Sequence, residues 1–283
     1  MKKKLFYLVF FVALLALVSN TLAGPHDWLT GRPDGSKWVV ASNWSDSNAA
    51  PLISETVTTY GSSTPLNGPF IVSGDTAYGY DIRIGGSGGS GNRGYATMNG
   101  GTLNSGSYLT IAPDSTSNRD GEFRMDGGVI NLGVTSSTGG HLNVGSGYSN
   151  CPNTLTGTLR MTDGIINATA NFAIARYKAS GYVYLDGGTI YANNFSMHSG
   201  LTTGTGYMNI TGNGKVIING DVTAKCVTYI TNGWLEGNGN DYDIKYDFNI
   251  TNAGKTTIYV PEPATICLLS IGALSLLRRR KRK

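Results

Sequence analysis

The 283-residue chain carries 22 Lys and Arg against 18 Asp and Glu, a formal charge of +4, together with 40 glycines and 16 tyrosines. Nine of the bases lie at the ends, so residues 24–260 hold 13 bases against 17 acids and the body is negative by about 4 charges. The basic balance belongs to the termini, and the body offers no basic stripe for a nucleic-acid partner. Its richness in Gly, Asn, Ser and Thr disfavours long helices and suits strands joined by tight turns.

Lys2, Lys3 and Lys4 precede an apolar run from Leu5 to Val18, and then Thr21-Leu22-Ala23. A charged start, a short apolar centre and small residues at the end predict a signal peptide over 1–23, exported through the Sec translocon. The run falls short of the ~20 residues that a spanning helix needs. Residues 24–80 follow, with Trp28, Trp38 and Trp44 crowded into "DWLTGRPDGSKWVVASNW". The aromatics predict an N-terminal cap over an otherwise open row of strand edges.

Residues 81–225 contain a repeat. "GYATMNGGTLN" from Gly94, "GEFRMDGGVIN" from Gly121, "GTLRMTDGIIN" from Gly157, "GYVYLDGGTIY" from Gly181 and "GYMNITGNGKV" from Gly206 align without gaps, the last only as far as Ile210. Ala96/Met98, Phe123/Met125, Leu159/Met161, Val183/Leu185 and Met208/Ile210 share one parity and are expected to point inward. Tyr95/Thr97, Glu122/Arg124, Thr158/Arg160, Tyr182/Tyr184 and Tyr207/Asn209 alternate with them and should face solvent.

A Gly-containing turn leads to a second strand through Leu103, Ile130, Ile166, Ile190 or Ile217. A third strand is expected at Leu109/Ile111, Leu142/Val144, Phe172/Ile174, Phe195/Met197 and Val222/Ala224, with Ile82/Ile84 as its counterpart in an earlier, partial coil. Short strands cannot bury an apolar face alone, whereas coils stacked at ~4.8 Å form a continuous core. The fold expected is all-β, a parallel β-solenoid of about five to six coils. A β-sandwich would also hold such strands but does not require equivalent positions to repeat in kind. Cys151 and Cys226 then fall two or three coils apart, ~10–14 Å, too far for a disulfide, which needs Cα atoms within about 7 Å.

Residues 226–259 read as a C-terminal cap and linker, with Trp234, Tyr242, Tyr246 and Phe248 available to close the end. The last segment, 260–283, begins with Val260-Pro261-Glu262-Pro263. The prolines allow a helix to start only after them, and apolar residues 264–277 would make one ~21 Å long against a ~30 Å hydrocarbon core. The basic tail Arg278, Arg279, Arg280, Lys281, Arg282 and Lys283 would stay on the cytoplasmic side.

These three parts, in this order and spacing, resemble the PEP-CTERM sorting signal. The resemblance implies transient anchoring in the inner membrane, recognition near Pro-Glu-Pro by an exosortase-type transpeptidase, and release to the cell surface or extracellular matrix. It also implies association with extracellular polysaccharide. The body resembles, in pattern only, the repeats of pectin-lyase-like and autotransporter-passenger β-helices, and it shares no family-specific catalytic motif with them.

Among the polar residues, Asp126, Asp163 and Asp186 stand in or beside the turns of consecutive units. Acidic pairs ~5–10 Å apart can hydrolyse glycosides, but Asp before Gly is also ordinary turn chemistry. Asp241, Asp243 and Asp247 lack calcium-loop spacing. His26, His141 and His198 lack metal-ligand spacing. No cofactor and no metal is expected. The outward Tyr182, Tyr184 and Tyr207, with Arg124 and Arg160 on the preceding coils, could form a platform for sugar stacking and hydrogen bonding. The expected function is that of a non-enzymatic surface or matrix solenoid in contact with exopolysaccharide. The alternative is a polysaccharide-degrading β-helix enzyme, a lyase or glycosidase.

Overall fold

The computed structural model describes residues 26–27, 37–39, 51–52, 54–59, 68–85, 93–113, 120–136, 139–146, 155–199 and 204–261. The predicted signal peptide, Trp28, Trp44, Cys151, the apolar run 264–277 and the basic tail lie outside them. Among the described residues, no helix is long and apolar enough to cross a membrane.

Seventeen strands and one helix wind through the described residues. β1 (His26–Asp27), β2 (Val57–Thr59), β3 (Phe70–Ile71), β4 (Thr76–Gly79) and β5 (Ile82–Ile84) begin the winding. β6 (Gly94–Ser105) with β7 (Tyr108–Pro113), β8 (Gly121–Leu132) with β9 (His141–Ser146), β10 (Thr156–Arg176), and β11 (Ser180–Leu185) with β12 (Thr189–Ser199) make the central coils. β13 (Gly206–Ile210), β14 (Lys215–Asn219) and helix α1 (Thr223–Thr231) follow, and β15 (Leu235–Gly237), β16 (Lys245–Phe248) and β17 (Lys255–Tyr259) finish the fold. The result is a β-solenoid of about five turns.

Each turn has three faces, and on each face equivalent residues pair in parallel register. On the first face Met98, Met125, Met161, Leu185 and Ile210 form one inward column. On the second, Leu103, Ile130, Ile166, Ile190 and Val216 form another. On the third, Ile82, Leu109, Leu142, Phe172 and Phe195 stack in line, the last two rings 5.3 Å apart. Every residue of these columns is buried. Alternation in sequence thus becomes a ladder in space, because each coil places its apolar parity over the one below.

The unit begins with glycine because the backbone closes there. A Cβ on Gly181 would lie 2.1 Å from the carbonyl oxygen of Val144, and one on Gly121 would lie 2.1 Å from that of Ile84. The same corner, between the third strand and the next unit, turns through left-handed residues at successive rungs: Gly85 (φ 80°), Ala112 (53°), Gly145 (70°), Ala175 (55°) and His198 (53°). That conformation is costly for any residue with a Cβ, and its recurrence marks this corner as the sharp bend of each coil.

Three sequence expectations change here. Ile217 does not enter the second-face column: Val216 does, because the turn after Ile210 is one residue longer than in the other units. Val222 and Ala224 do not continue the third strand. Val222 instead caps α1, which lies over the third face with Cys226 and Tyr229 turned inward. Of the aromatics expected to close the C-terminal end, Trp234 and Tyr246 pack against the core, but Tyr242 is 80 % exposed.

The three faces end differently. The first ends in the short β15, paired to β13. On the second, β17 pairs antiparallel with β14 and carries β16 on its other edge. On the third, side chains of α1 take the place of a strand. The Tyr229 hydroxyl accepts from the Met197 amide at 3.2 Å, and Lys225 Nζ donates to the Phe195 carbonyl at 3.0 Å and to Asn194 Oδ1 at 2.7 Å. At the other end of the solenoid, Trp38 is buried and its indole N–H donates to the Tyr78 carbonyl at 3.1 Å. Cys226 is fully buried and carries no disulfide, and burial pushes its thiol pKa up to about 12.

Candidate functional site

The outer side of the first face is built from two neighbouring columns. Register places Thr97, Arg124, Arg160, Tyr184, Asn209 and Glu236 in one of them. Tyr95, Glu122, Thr158, Tyr182 and Tyr207 form the other. All five residues of the expected platform therefore fall on one surface: Arg124, Arg160 and Tyr184 consecutively, with Tyr182 and Tyr207 beside them.

Their contacts are close. The Arg160 guanidinium carbon stands 4.3 Å from the centroid of the Tyr184 ring, within the range of a cation–π interaction. The Tyr184 and Tyr207 rings lie 6.2 Å apart, inclined at 59°. The Tyr207 hydroxyl donates to Glu236 Oε2 at 2.7 Å. Burial, reinforced by that carboxylate, holds the phenol protonated far above its ordinary range.

Glu122 departs from its expected place in solvent. It retains its outward parity, yet it is only 6 % exposed. Arg124 Nε donates to its Oε1 at 2.7 Å, and Arg160 Nε lies 3.5 Å from the same oxygen. A carboxylate removed from water requires such partners. Glu122 thus fixes two guanidinium groups along one column, and Arg160 reaches from it to Tyr184. Alternation assigned Glu122 to solvent because period two cannot show that longer neighbours will fold over a side chain. Glu236 was missed for another reason: β15 is a sixth rung whose short "WLEG" lacks the leading glycine.

Asp126, Asp163 and Asp186 fall at the exposed edge where the first face turns into the second. The Thr162 hydroxyl donates to Asp126 Oδ1 and that of Thr211 to Asp186 Oδ1, each at 2.7 Å. Asp163 accepts from the Gly164 amide, also at 2.7 Å. Asp126 and Asp186 thus bond from coil to coil, while Asp163 closes its own turn. On the second face, Asn167 donates to Asn131 at 2.9 Å and Asn131 to Asn104 at 3.0 Å. This asparagine ladder also escaped notice, although "TLN", "VIN" and "IIN" in three units carry its signal.

At the C-terminal end, Asp243 accepts from the side-chain amides of Asn238 and Asn240, both at 3.1 Å. Asp247 accepts from the amide and hydroxyl of Thr251 at 2.8 and 2.7 Å. His141 stacks on Tyr108, ring centroids 4.9 Å apart, and His198 stacks on Trp234 at 3.9 Å. No group of three or more His, Cys, Asp or Glu that could hold a metal occurs among the described residues.

The sorting motif begins where β17 stops. Val260 remains buried, and Pro261 is exposed; Glu262, Pro263 and all that follows lie outside the described residues. The architecture defines a three-faced parallel β-solenoid with an Arg/Tyr column on one face. Its C-terminal end, residues 260–282, matches the PEP-CTERM protein-sorting motif. No curated protein and no solved structure matches the chain. The motif implies export, sorting to the cell surface and processing by an exosortase.

Proposed function

We propose that the chain is a non-enzymatic protein of the cell surface or extracellular matrix, and that the first face of its solenoid binds extracellular polysaccharide. The observation that carries this reading is the continuous column Arg124–Arg160–Tyr184, with Tyr207 inclined against it. Aromatic rings offer apolar area to the C–H face of a sugar, and guanidinium and amide groups beside them supply hydrogen-bond donors. A sugar chain laid along the solenoid axis would meet a new rung every ~4.8 Å, which suits a repeating ligand bound by many weak contacts.

The disposition of the acids supports a binding role over a degrading one. Glu122 is engaged by two arginines, Glu236 accepts from Tyr207, and the three turn aspartates bond to a neighbouring threonine hydroxyl or backbone amide. Transient anchoring by the apolar segment 264–277 belongs to the same proposal. The test is co-sedimentation of the body with the producing cell's own exopolysaccharide. Wild-type protein should pellet with the polysaccharide, and Tyr184→Ala with Tyr207→Ala should weaken the apparent affinity about tenfold, as loss of roughly 1.4 kcal/mol would. Equal binding by the double variant would remove the platform from the account, and depolymerisation of the glycan would replace this reading with the enzymatic one.

A further inference from the structure

At the C-terminal end of the solenoid, one strand follows β13 on the first face, but two follow β14 on the second. The outermost of these, β16, pairs with β17 along one edge and with no strand among the described residues along the other. Just past β16, the Asn249 amide donates to the Lys255 carbonyl at 2.9 Å. That bond fixes the alternation of the antiparallel ladder: the backbone groups of Lys245 and Asp247 face β17, and those of Tyr246 and Phe248 face the open edge. An open edge is a template for another strand. Exposed Phe248 and Ile250, the latter 84 % accessible, border it at one end and exposed Tyr242 at the other. Beside it lies a groove of about 460 Å³ lined by Val227, Ile230, Ile244 and Tyr246.

We propose that β16 joins two copies of this chain end to end, the strands antiparallel about a two-fold axis at Tyr246. Three registers bring the outward backbone groups of two such strands together. One centred on Asp247 sets that carboxylate against its own copy. One centred on Phe248 leaves Lys245 opposite Thr251 and Asp247 opposite Asn249, with no charge pair. Only the register centred on Tyr246 sets Lys245 of each copy opposite Asp247 of the other, twice over, and cross-strand pairs of opposite charge stabilise where like charges oppose.

The same register sorts the side chains. Lys245 is exposed, and the Asp247 carboxylate keeps acceptor sites beyond the two that Thr251 occupies. Both lie on the side of the strand opposite to Tyr246, which packs against the core. On the core side Tyr246 meets its own copy, and Phe248 falls opposite Ile244 at the groove. The contact is isologous and uses up the edge on both copies, so it closes at two and builds no fibre. Strands of four residues bury less than a permanent interface does, so the pair is reversible. It leaves the side faces uncovered, the Arg/Tyr column included.

The test is sedimentation velocity of the full chain in mild detergent at rising concentration. The wild type should pass from monomer to dimer over the micromolar range. Lys245→Asp and Asp247→Lys each set like charges opposite one another and should weaken dimerisation about tenfold. An equimolar mixture of the two variants should regain it, because each copy then faces the opposite charge. High salt should narrow the gap between Lys245→Asp and the wild type, a readout that stands even where Asp247→Lys fails to fold. A wild type that remains monomeric would overturn the proposal. A dimer that Lys245→Asp leaves unchanged would overturn it too, by placing the contact away from β16, and a mixture of folded variants that stays monomeric would overturn the register.

Discussion

Met161 and Arg160 are adjacent in sequence and opposite in environment. Met161 is a fully buried rung between Met125 and Leu185, so Met161→Asp places an unpaired charge in the core and should cost several kcal/mol. Arg160 is exposed, with its guanidinium against Tyr184 and Glu122. Arg160→Gln leaves Glu122 the shorter bond from Arg124 and should cost no more than about 1 kcal/mol. Denaturant unfolding of the two variants compares them, and equal losses would mean that the parity is wrong. His198 supplies a pH dependence. Burial lowers its pKa below the ordinary value, against a smaller opposing contact with the Gly206 carbonyl, and its Nε2 accepts the Gly206 amide at 2.9 Å. The unfolded chain therefore takes up the proton first. The stability that His198 contributes is complete above about pH 6.5 and is lost as pH falls through the depressed folded value. His198→Asn keeps an acceptor and tolerates the left-handed backbone. Its melting temperature should fall less than that of the wild type between pH 7 and 5, and parallel curves would contradict the assignment.

At the scale of elements, the coils were legible and the closures were not. The repeat could be read because apolar residues of one parity recur at equivalent places in five units, and that parity survives through all five rungs of the first face and through four of the other two. Helix α1 could not, since Val222 and Ala224 continue the strand alternation, and "TAKCVTYIT" is rich in β-branched residues that favour strands. Tertiary context overrides that preference, because a helix can present Cys226 and Tyr229 to the core while its side chains bond to the exposed edge of β12. The antiparallel β17 was equally hidden, as direction leaves no trace in alternation. Of the candidate site, the five platform residues were legible from parity and unit alignment, whereas the buried Glu122 and the sixth-rung Glu236 required the packing. Tyr229→Phe tests the edge-closing role of α1. It keeps the ring against Phe195, at 5.4 Å, and removes only the acceptor for the Met197 amide. The loss should be about 1–3 kcal/mol in denaturant unfolding, and an unchanged stability would mean that the hydroxyl closes nothing.

Across the whole molecule, the residues that set its destination are segregated from those that build it. The body, negative by about 4 charges, folds around its own buried columns, and the sorting motif joins that body at Val260, the buried residue directly after its final strand. In the matrix role proposed above, a solenoid attached by one end would keep its side faces open to an extended, repetitive ligand. The measurement that bears most directly on this account is fractionation of cells expressing the full chain, against a chain in which Pro261, Glu262 and Pro263 are all replaced by alanine. The unaltered protein should reach the cell surface or medium without its basic tail, while the altered one should remain with the membrane and still end at Lys283. The same distribution and the same C-terminus for both chains would contradict it.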